Sequence, residues 1–337
     1  QAMSGELIDA TGKMVVPGYI NLHVHGGVGY DTMDATTDAI ISMARWFARH
    51  GVTSFLPTTI TAPKEAILTA IRNIAFCQEE GTGSAQLLGI HLEGPYISLS
   101  KPGAQPVQYI RPADPNEYRD FFSWDNIRLI TLAPEIPENK KLITYAVQHG
   151  STVAVGHSTA SYKEVLAAVQ LGLSHSAHTF NGMGNLHHRE PGTVGAVLTC
   201  DEITAEVIAD NIHIHPAVIK LLVRAKGVER TVLITDAICA AGMPDGTYDL
   251  GGQQVTVKEG IARIAMGSLA GSTLTMDKAV RNAMAATGLS LAETLQMASY
   301  NPAQVIGVEK EKGSLELGKD ADILLLDDEL RVILTMV

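Results

Sequence analysis

The chain is short of cysteine, of aromatic rings and of positive charge. Its three cysteines, Cys77, Cys200 and Cys239, stand far apart and none is in a Cys-x-x-Cys spacing. That excludes a disulfide framework and reads as reduced thiols packed as small core residues. Aromatic residues make up only 5% of the 337 positions, so the core falls to aliphatic side chains, as in a buried parallel sheet. Lys and Arg number 25 against 36 Asp and Glu, a formal charge of -11, and no stretch gathers basic residues into a patch. A nucleic-acid partner is excluded on that basis. No apolar run approaches the ~20 residues that span a bilayer, and no basic segment followed by an apolar one opens the sequence. The chain therefore reads as soluble and cytoplasmic, with no membrane partner.

What is present is a large apolar fraction, 46% hydrophobic against 18% charged, which excludes intrinsic disorder. The length is that of two average domains or of one large α/β barrel with an appendage. Short aliphatic strands alternate with amphipathic helical stretches. Strands read at Val16 to Val24, Val52 to Thr58, Gln86 to Glu93, Ile127 to Ala133, Thr152 to His157, Ser174 to His178, Ile203 to Asp210 and Thr231 to Thr235. Helices read at Thr37 to His50, Pro63 to Glu79, Glu138 to Gly150, Ser161 to Leu171 and Pro216 to Ala225, and again at Thr273 to Ala286 and Ser290 to Ser299. Eight strands with mostly helical connections predict a (β/α)8 barrel over residues 16–240, completed by helices in 266–308. Turn-rich β segments in 1–15, 241–265 and 309–337 predict a small β-sandwich domain built from both termini plus an insertion, and this unit reads as incomplete.

Twelve histidines in so aromatic-poor a chain are the surplus to explain. In a barrel, residues at the carboxyl ends of the strands converge on one mouth. The first strand ends in His23-Val24-His25, a spacing of two that turns both imidazoles to the same side of an extended chain. Later strand ends deliver Glu93, His157, His178 and Asp236. Singly, each is equally a hydrogen-bonded structural histidine or half of a salt bridge. Together they put imidazole and carboxylate donors into one small volume, a set that suits one or two divalent ions such as zinc or iron. Such an ion lowers the pKa of a bound water toward ~7, and a neighbouring carboxylate can take the proton and deliver it to a leaving group. Asp236, on the last strand, is the candidate for that acid/base role, compatible with its being a plain ligand.

With His91-Leu-Glu-Gly-Pro-Tyr, Gly156-His-Ser, His178-Thr-Phe-Asn-Gly-Met, Arg189-Glu-Pro-Gly, Ile208-Ala-Asp-Asn-Ile-His-Ile-His-Pro and Leu269-Ala-Gly-Ser in this order, the chain resembles the amidohydrolase superfamily and, within it, the N-acetylglucosamine-6-phosphate deacetylases. The likeness runs from Pro17 to the Gly-Lys-Asp-Ala-Asp segment near the C-terminus. It implies removal of acetate from an N-acetylated amino-sugar phosphate, with Glu93, His157 and His178 on the principal metal and Asp236 as general base and acid. His23 and His25 would serve a second ion bridged through Glu93. The resemblance places Gln105, Asn181, Gly182, Arg189 and His213 on the substrate, with Arg189 against the phosphate in a neighbouring subunit's site, which implies a homodimer. Gln105 stands where the family often has His, and Asn211 where it usually has Gly. Other amidohydrolases, deaminases or cyclic amidases, would share His23, His25 and Asp236 but would not need Arg189. A non-catalytic scaffold would not need all six donors.

Overall fold

The computed structural model describes residues 7–337; residues 1–6 of the expected N-terminal β piece lie outside them. Eight parallel strands form the centre: β1 (Tyr19–Val24), β2 (Val52–Pro57), β3 (Ile90–Glu93), β4 (Ile127–Leu132), β5 (Thr152–Val155), β6 (Leu173–Ser176), β7 (Thr204–Ile208) and β8 (Thr231–Ile234). β3 to β8 pair in chain order, as do β1 and β2. Parallel bridges between Thr58 and His91 and between Val24 and Ala237 join the two runs, so the sheet closes into a barrel.

Each strand is followed by a helix: α1 (Thr37–Arg49), α2 (Lys64–Glu80), α3 (Pro115–Phe122), α4 (Asn139–Gln148), α5 (Tyr162–Val169), α6 (Gly192–Thr199), α7 (Pro216–Lys226) and α8 (Met276–Thr287). Local chemistry starts them. Thr36 caps α1 by accepting from the Ala39 amide, and Ser161 with Glu164 closes a capping box on α5. The helices at α3 and α6 go beyond the sequence reading. α3 begins on an Asp114 cap with Pro115 at its first position, whereas α6 (Gly-Thr-Val-Gly-Ala-Val-Leu-Thr) has poor helix propensity and almost every residue buried, so packing forms it.

The stretch Val16 to Val24, expected as one strand, breaks at Gly18. Met14–Pro17 turns away and pairs antiparallel with Ile323–Leu326, which pairs with Val332–Met336. A side chain on Gly18 would run within 2.1 Å of the Thr53 hydroxyl, so only glycine lets the chain pass from the terminal sheet into β1. The insertion, expected in the same β unit, forms its own sheet. Among the described residues Gly246–Leu250, Gln253–Lys258 and Ile261–Ile264 pair with one another and with no terminal strand. Its apolar side, Leu250, Val255, Val257 and Ala262, packs on Ile60 and Ile238, in the loops after β2 and β8, so it stands over the barrel mouth. No helix among the described residues is long and apolar enough to cross a membrane.

Where the terminal sheet meets the barrel, the Asp322 carbonyl accepts from the Gly18 amide at 2.9 Å. Its carboxylate takes the Lys312 ammonium at 2.8 Å, and Asp320 takes it at 2.9 Å. Burial works against the Lys312 charge, but the two carboxylates outweigh it and hold its pKa above the ordinary lysine range. A folded-state pKa raised in this way contributes stability at neutral pH that is lost as pH rises through the lysine range. Lys312→Met leaves Asp322 buried without a partner and is expected to lower unfolding free energy by about 3–5 kcal/mol. Urea denaturation at pH 7 measures it, and a loss below about 1 kcal/mol contradicts a buried pair.

Candidate metal centre

The loops beyond the strand ends build the site. β1 carries His23 inward, with His25 just past its end, both buried. The chain then passes beneath the loop after β8: a side chain on Gly26 would lie 2.3 Å from the Tyr30 carbonyl and 2.7 Å from the Cys239 amide. That loop holds Asp236, whose amide donates to the His23 carbonyl at 2.9 Å and whose carbonyl accepts from Ser272 at 2.7 Å. Gly271, at φ +55°, lies where any Cβ would be 2.8 Å from the Asp236 carbonyl, which is why the Leu269-Ala-Gly-Ser motif carries glycine there. His157, His178 and Asp236 themselves have φ of 45°, 26° and 50°. Left-handed backbone at non-glycine residues costs about 1–3 kcal/mol each, and three of the six expected donors bear it.

The six donors meet. Glu93 Oε1 lies 3.0 Å from His178 Nε2, 3.3 Å from His157 Nε2 and 3.4 Å from His23 Nε2. Its Oε2 lies 3.2 Å from His25 Nε2, and Asp236 Oδ1 lies 3.3 Å from that nitrogen and 3.6 Å from His23 Nε2. His157 and His178 face each other, Nε2 to Nε2, at 3.2 Å. Two groups have every donor atom within 4.8 Å of the others: His23, Glu93 and His178, and His23, His25 and Asp236.

The outer nitrogens decide what this convergence means. His157 Nδ1 meets the Lys101 carbonyl at 2.8 Å, which only accepts, so the proton is on Nδ1 and the neutral ring turns an Nε2 lone pair inward. His23 Nδ1 meets the Glu206 carboxylate at 2.9 Å, and the same follows; its Nε2 is buried without a hydrogen bond. Lone pairs of His23 and His157 thus face Glu93 Oε1 at 3.4 and 3.3 Å, an arrangement that a cation between them relieves. Burial opposes charge on every member. Even so, Glu93, Glu206 and Asp236 hold His23 well above the ordinary imidazole range, hydrogen bonds to Asp236 and Glu93 push His25 up to about 9, and the imidazoles keep Glu93 well below the carboxylate range. A proton can neutralise one such contact; a divalent ion serves several at once. The donor set, imidazole with carboxylate, fits zinc or iron.

A cavity of about 540 Å³ opens above the cluster. Gln105, Asn181, Gly182 and His213 line it, as expected, with His25, Glu93, His157, His178 and Asp236. Gln105 is engaged at both ends: its amide donates to Glu93 Oε2 at 2.7 Å and its oxygen accepts from the Thr61 amide at 2.8 Å. Arg189 is not brought to the cavity; it is exposed, and its guanidinium meets His188 at 2.7 Å. Four further residues lay outside the sequence reading of the site. Glu206, fully buried on β7, binds His23 and the His178 amide. His175 Nε2 binds Glu206 at 3.2 Å. Asp210 holds His213 Nδ1 at 2.6 Å. Among the described residues Lys101 is the one Lys or Arg in the cavity wall. A glutamate inside the apolar run Ile203 to Asp210 was the visible signal for the first of these.

Comparison with known proteins agrees with this architecture. The model of the Amidohydrolase family matches residues 14–337. An N-acetylgalactosamine-6-phosphate deacetylase of Escherichia coli O157:H7 is 45% identical over 95% of this chain and 85% of its own length. The N-acetylglucosamine-6-phosphate deacetylase of Vibrio furnissii is 42% identical over 94% of this chain and 80% of its own. The crystal structure of N-acetylglucosamine-6-phosphate deacetylase from Pasteurella multocida superposes with a TM-score of 0.94, at 34% identity, covering 98% of this chain and 86% of that one. With the barrel, the donor cluster at its mouth and a family match over nearly its whole length, the chain belongs to the amidohydrolase family.

Proposed function

We propose that this chain removes the N-acetyl group of N-acetylglucosamine 6-phosphate, releasing acetate and glucosamine 6-phosphate. One observation carries the reading: the Nε2 atoms of His23, His157 and His178 converge within 3.4 Å of Glu93 Oε1 at the floor of a cavity of about 540 Å³, with Asp236 at the edge of the group. That volume is in the range of pockets that enclose small ligands. Glu93, His157 and His178 would hold the principal ion, and His23, His25 and Asp236 would offer a second position. A divalent ion there supplies Lewis acidity to the acyl oxygen and lowers the pKa of water at the site.

The protein's own groups do the rest. Asp236 Oδ1 accepts a proton from the attacking water as the new C–O bond forms, and returns it to the nitrogen as the C–N bond breaks, so the amine leaves neutral. His213, braced by Asp210, and Asn181 hold the sugar and its amide against that carboxylate. Lys101 meets the phosphate as a point charge from the cavity wall, and Arg189 presents its forked cation to the site of a second copy in a homodimer. The Escherichia coli relative named for the galacto epimer supports a second reading, the same reaction on N-acetylgalactosamine 6-phosphate, because C4 configuration lies away from the scissile amide.

Acetate release from both phosphorylated epimers and from the unphosphorylated sugars tests substrate class. A phosphorylated sugar is expected to win by about 10- to 100-fold in kcat/KM, the worth of one or two charge-assisted contacts; equal rates overturn the phosphate assignment. Asp236→Asn is expected to lower kcat by about 10²- to 10⁴-fold while metal analysis still finds the principal ion, and retained turnover removes Asp236 from its role. Arg189→Ala is expected to raise KM for the phosphorylated sugar about 10-fold with kcat nearly unchanged; an unchanged KM contradicts its phosphate contact.

A further inference from the structure

We propose that Glu206 is the positioning residue of the cluster: from below the cavity it orients the one imidazole shared by both candidate cation groups and anchors the backbone of a second donor. The inference rests on the metal reading above.

Three observations carry it. First, Glu206 is fully buried in β7 and is not among the cavity-lining residues, so it contacts no substrate. A buried carboxylate is costly unless every lone pair has a purpose. Second, its bonds are directed at the cluster. Oε2 accepts from His23 Nδ1 at 2.9 Å and from the His178 amide at 2.9 Å, while Oε1 lies 3.2 Å from His175 Nε2. One oxygen therefore ties a side chain at the end of β1 to the backbone after β6, at the residue whose φ of 26° is strained. Third, Glu206 is itself braced. His175 Nδ1 accepts from the Thr204 hydroxyl at 2.6 Å, which keeps the ring hydrogen on Nε2, facing Glu206.

His23 is common to both groups of potential ligands, His23 with Glu93 and His178, and His23 with His25 and Asp236. Whatever fixes its ring bears on both groups, and through the His178 amide Glu206 also bears on the principal position formed by Glu93, His157 and His178. The Glu206 carboxylate keeps the proton on Nδ1, which leaves Nε2 as the inward donor, and it adds negative charge behind the ring that strengthens that donor. In glutamine the carbonyl oxygen can still take the Oε2 position, but the negative charge behind the His23 ring is gone, and the amide nitrogen donates where Oε1 now accepts from His175 Nε2. The His23 ring could then exchange its tautomer and withdraw the lone pair.

A purely structural role makes a different forecast. If Glu206 served only to fill the barrel interior, leucine in its place would change stability but not cation binding. The experiment measures Zn²⁺ affinity by competition with a chromophoric chelator, and the visible absorption of the Co²⁺-loaded protein, for wild type, Glu206→Gln and Glu206→Leu, with thermal melting as the control for folding. The expected result is Zn²⁺ affinity about 10- to 100-fold weaker in both variants, with altered Co²⁺ bands and cooperative melting retained. Folded variants with wild-type affinity and spectrum overturn the assignment. If both fail to fold, Thr204→Val decides. It loosens His175 one bond further out, and a fall of about 2- to 5-fold in Zn²⁺ affinity supports the proposal, while wild-type affinity overturns it. A wild-type protein that binds neither Zn²⁺ nor Co²⁺ overturns the metal reading itself, a result distinct from intact binding in the variants.

Discussion

The site depends on acceptors facing acceptors. Glu93 Oε1 collects three imidazole nitrogens within 3.4 Å, and at two of those rings the proton is drawn to the far side by a partner that only accepts. Such a convergence is repulsive until a cation fills it. The fold resists the repulsion with rigidity: a closed barrel sets the strand ends, glycines admit close backbone approach at Gly26 and Gly271, and strained φ angles at His157, His178 and Asp236 aim the donors inward. The partners behind the donors are as much part of the site as the donors. The Lys101 carbonyl holds His157, the Gln105 amide holds Glu93 and the Glu206 carboxylate holds His23.

This arrangement divides the labour between barrel and loops. The barrel interior supplies the buried polar frame in which His91 and His175 are satisfied by Thr131 and Thr204, which accounts for two more of the twelve histidines. The loops supply the cavity wall, including the insertion sheet that stands over the mouth and contributes Leu250, Gln253 and Ile264 to the lining. The overall charge of -11 gives no attraction for a phosphorylated ligand. Under the proposed function, recognition of a phosphate would fall to local cations, Lys101 in the wall and Arg189 on the outer surface, which are held in very different surroundings.

The barrel was legible because its strands are short aliphatic runs and its helices mostly carry an apolar face, and each of the six donors lay at a strand end where a barrel collects chemistry. Several features hid from that reading. α6 is helical against the propensity of its glycines and β-branched residues, because burial of the run from Thr193 to Leu198 overrides local preference. Glu206 lay inside a strand, where periodicity reports only alternation, and its role depends on His23 and His175 reaching it from 183 and 31 residues away. The break at Gly18 was equally invisible, since it answers to Thr53 on the neighbouring strand β2 and to Asp322 near the far end of the chain.

The central claim is that this convergence of lone pairs is a cation site. Anomalous diffraction from a crystal grown with Zn²⁺, recorded on both sides of the zinc absorption edge, tests it most directly. The account predicts an anomalous peak enclosed by Glu93, His157 and His178 or shared with His23. A crystal that diffracts well and shows no peak among these residues would contradict it.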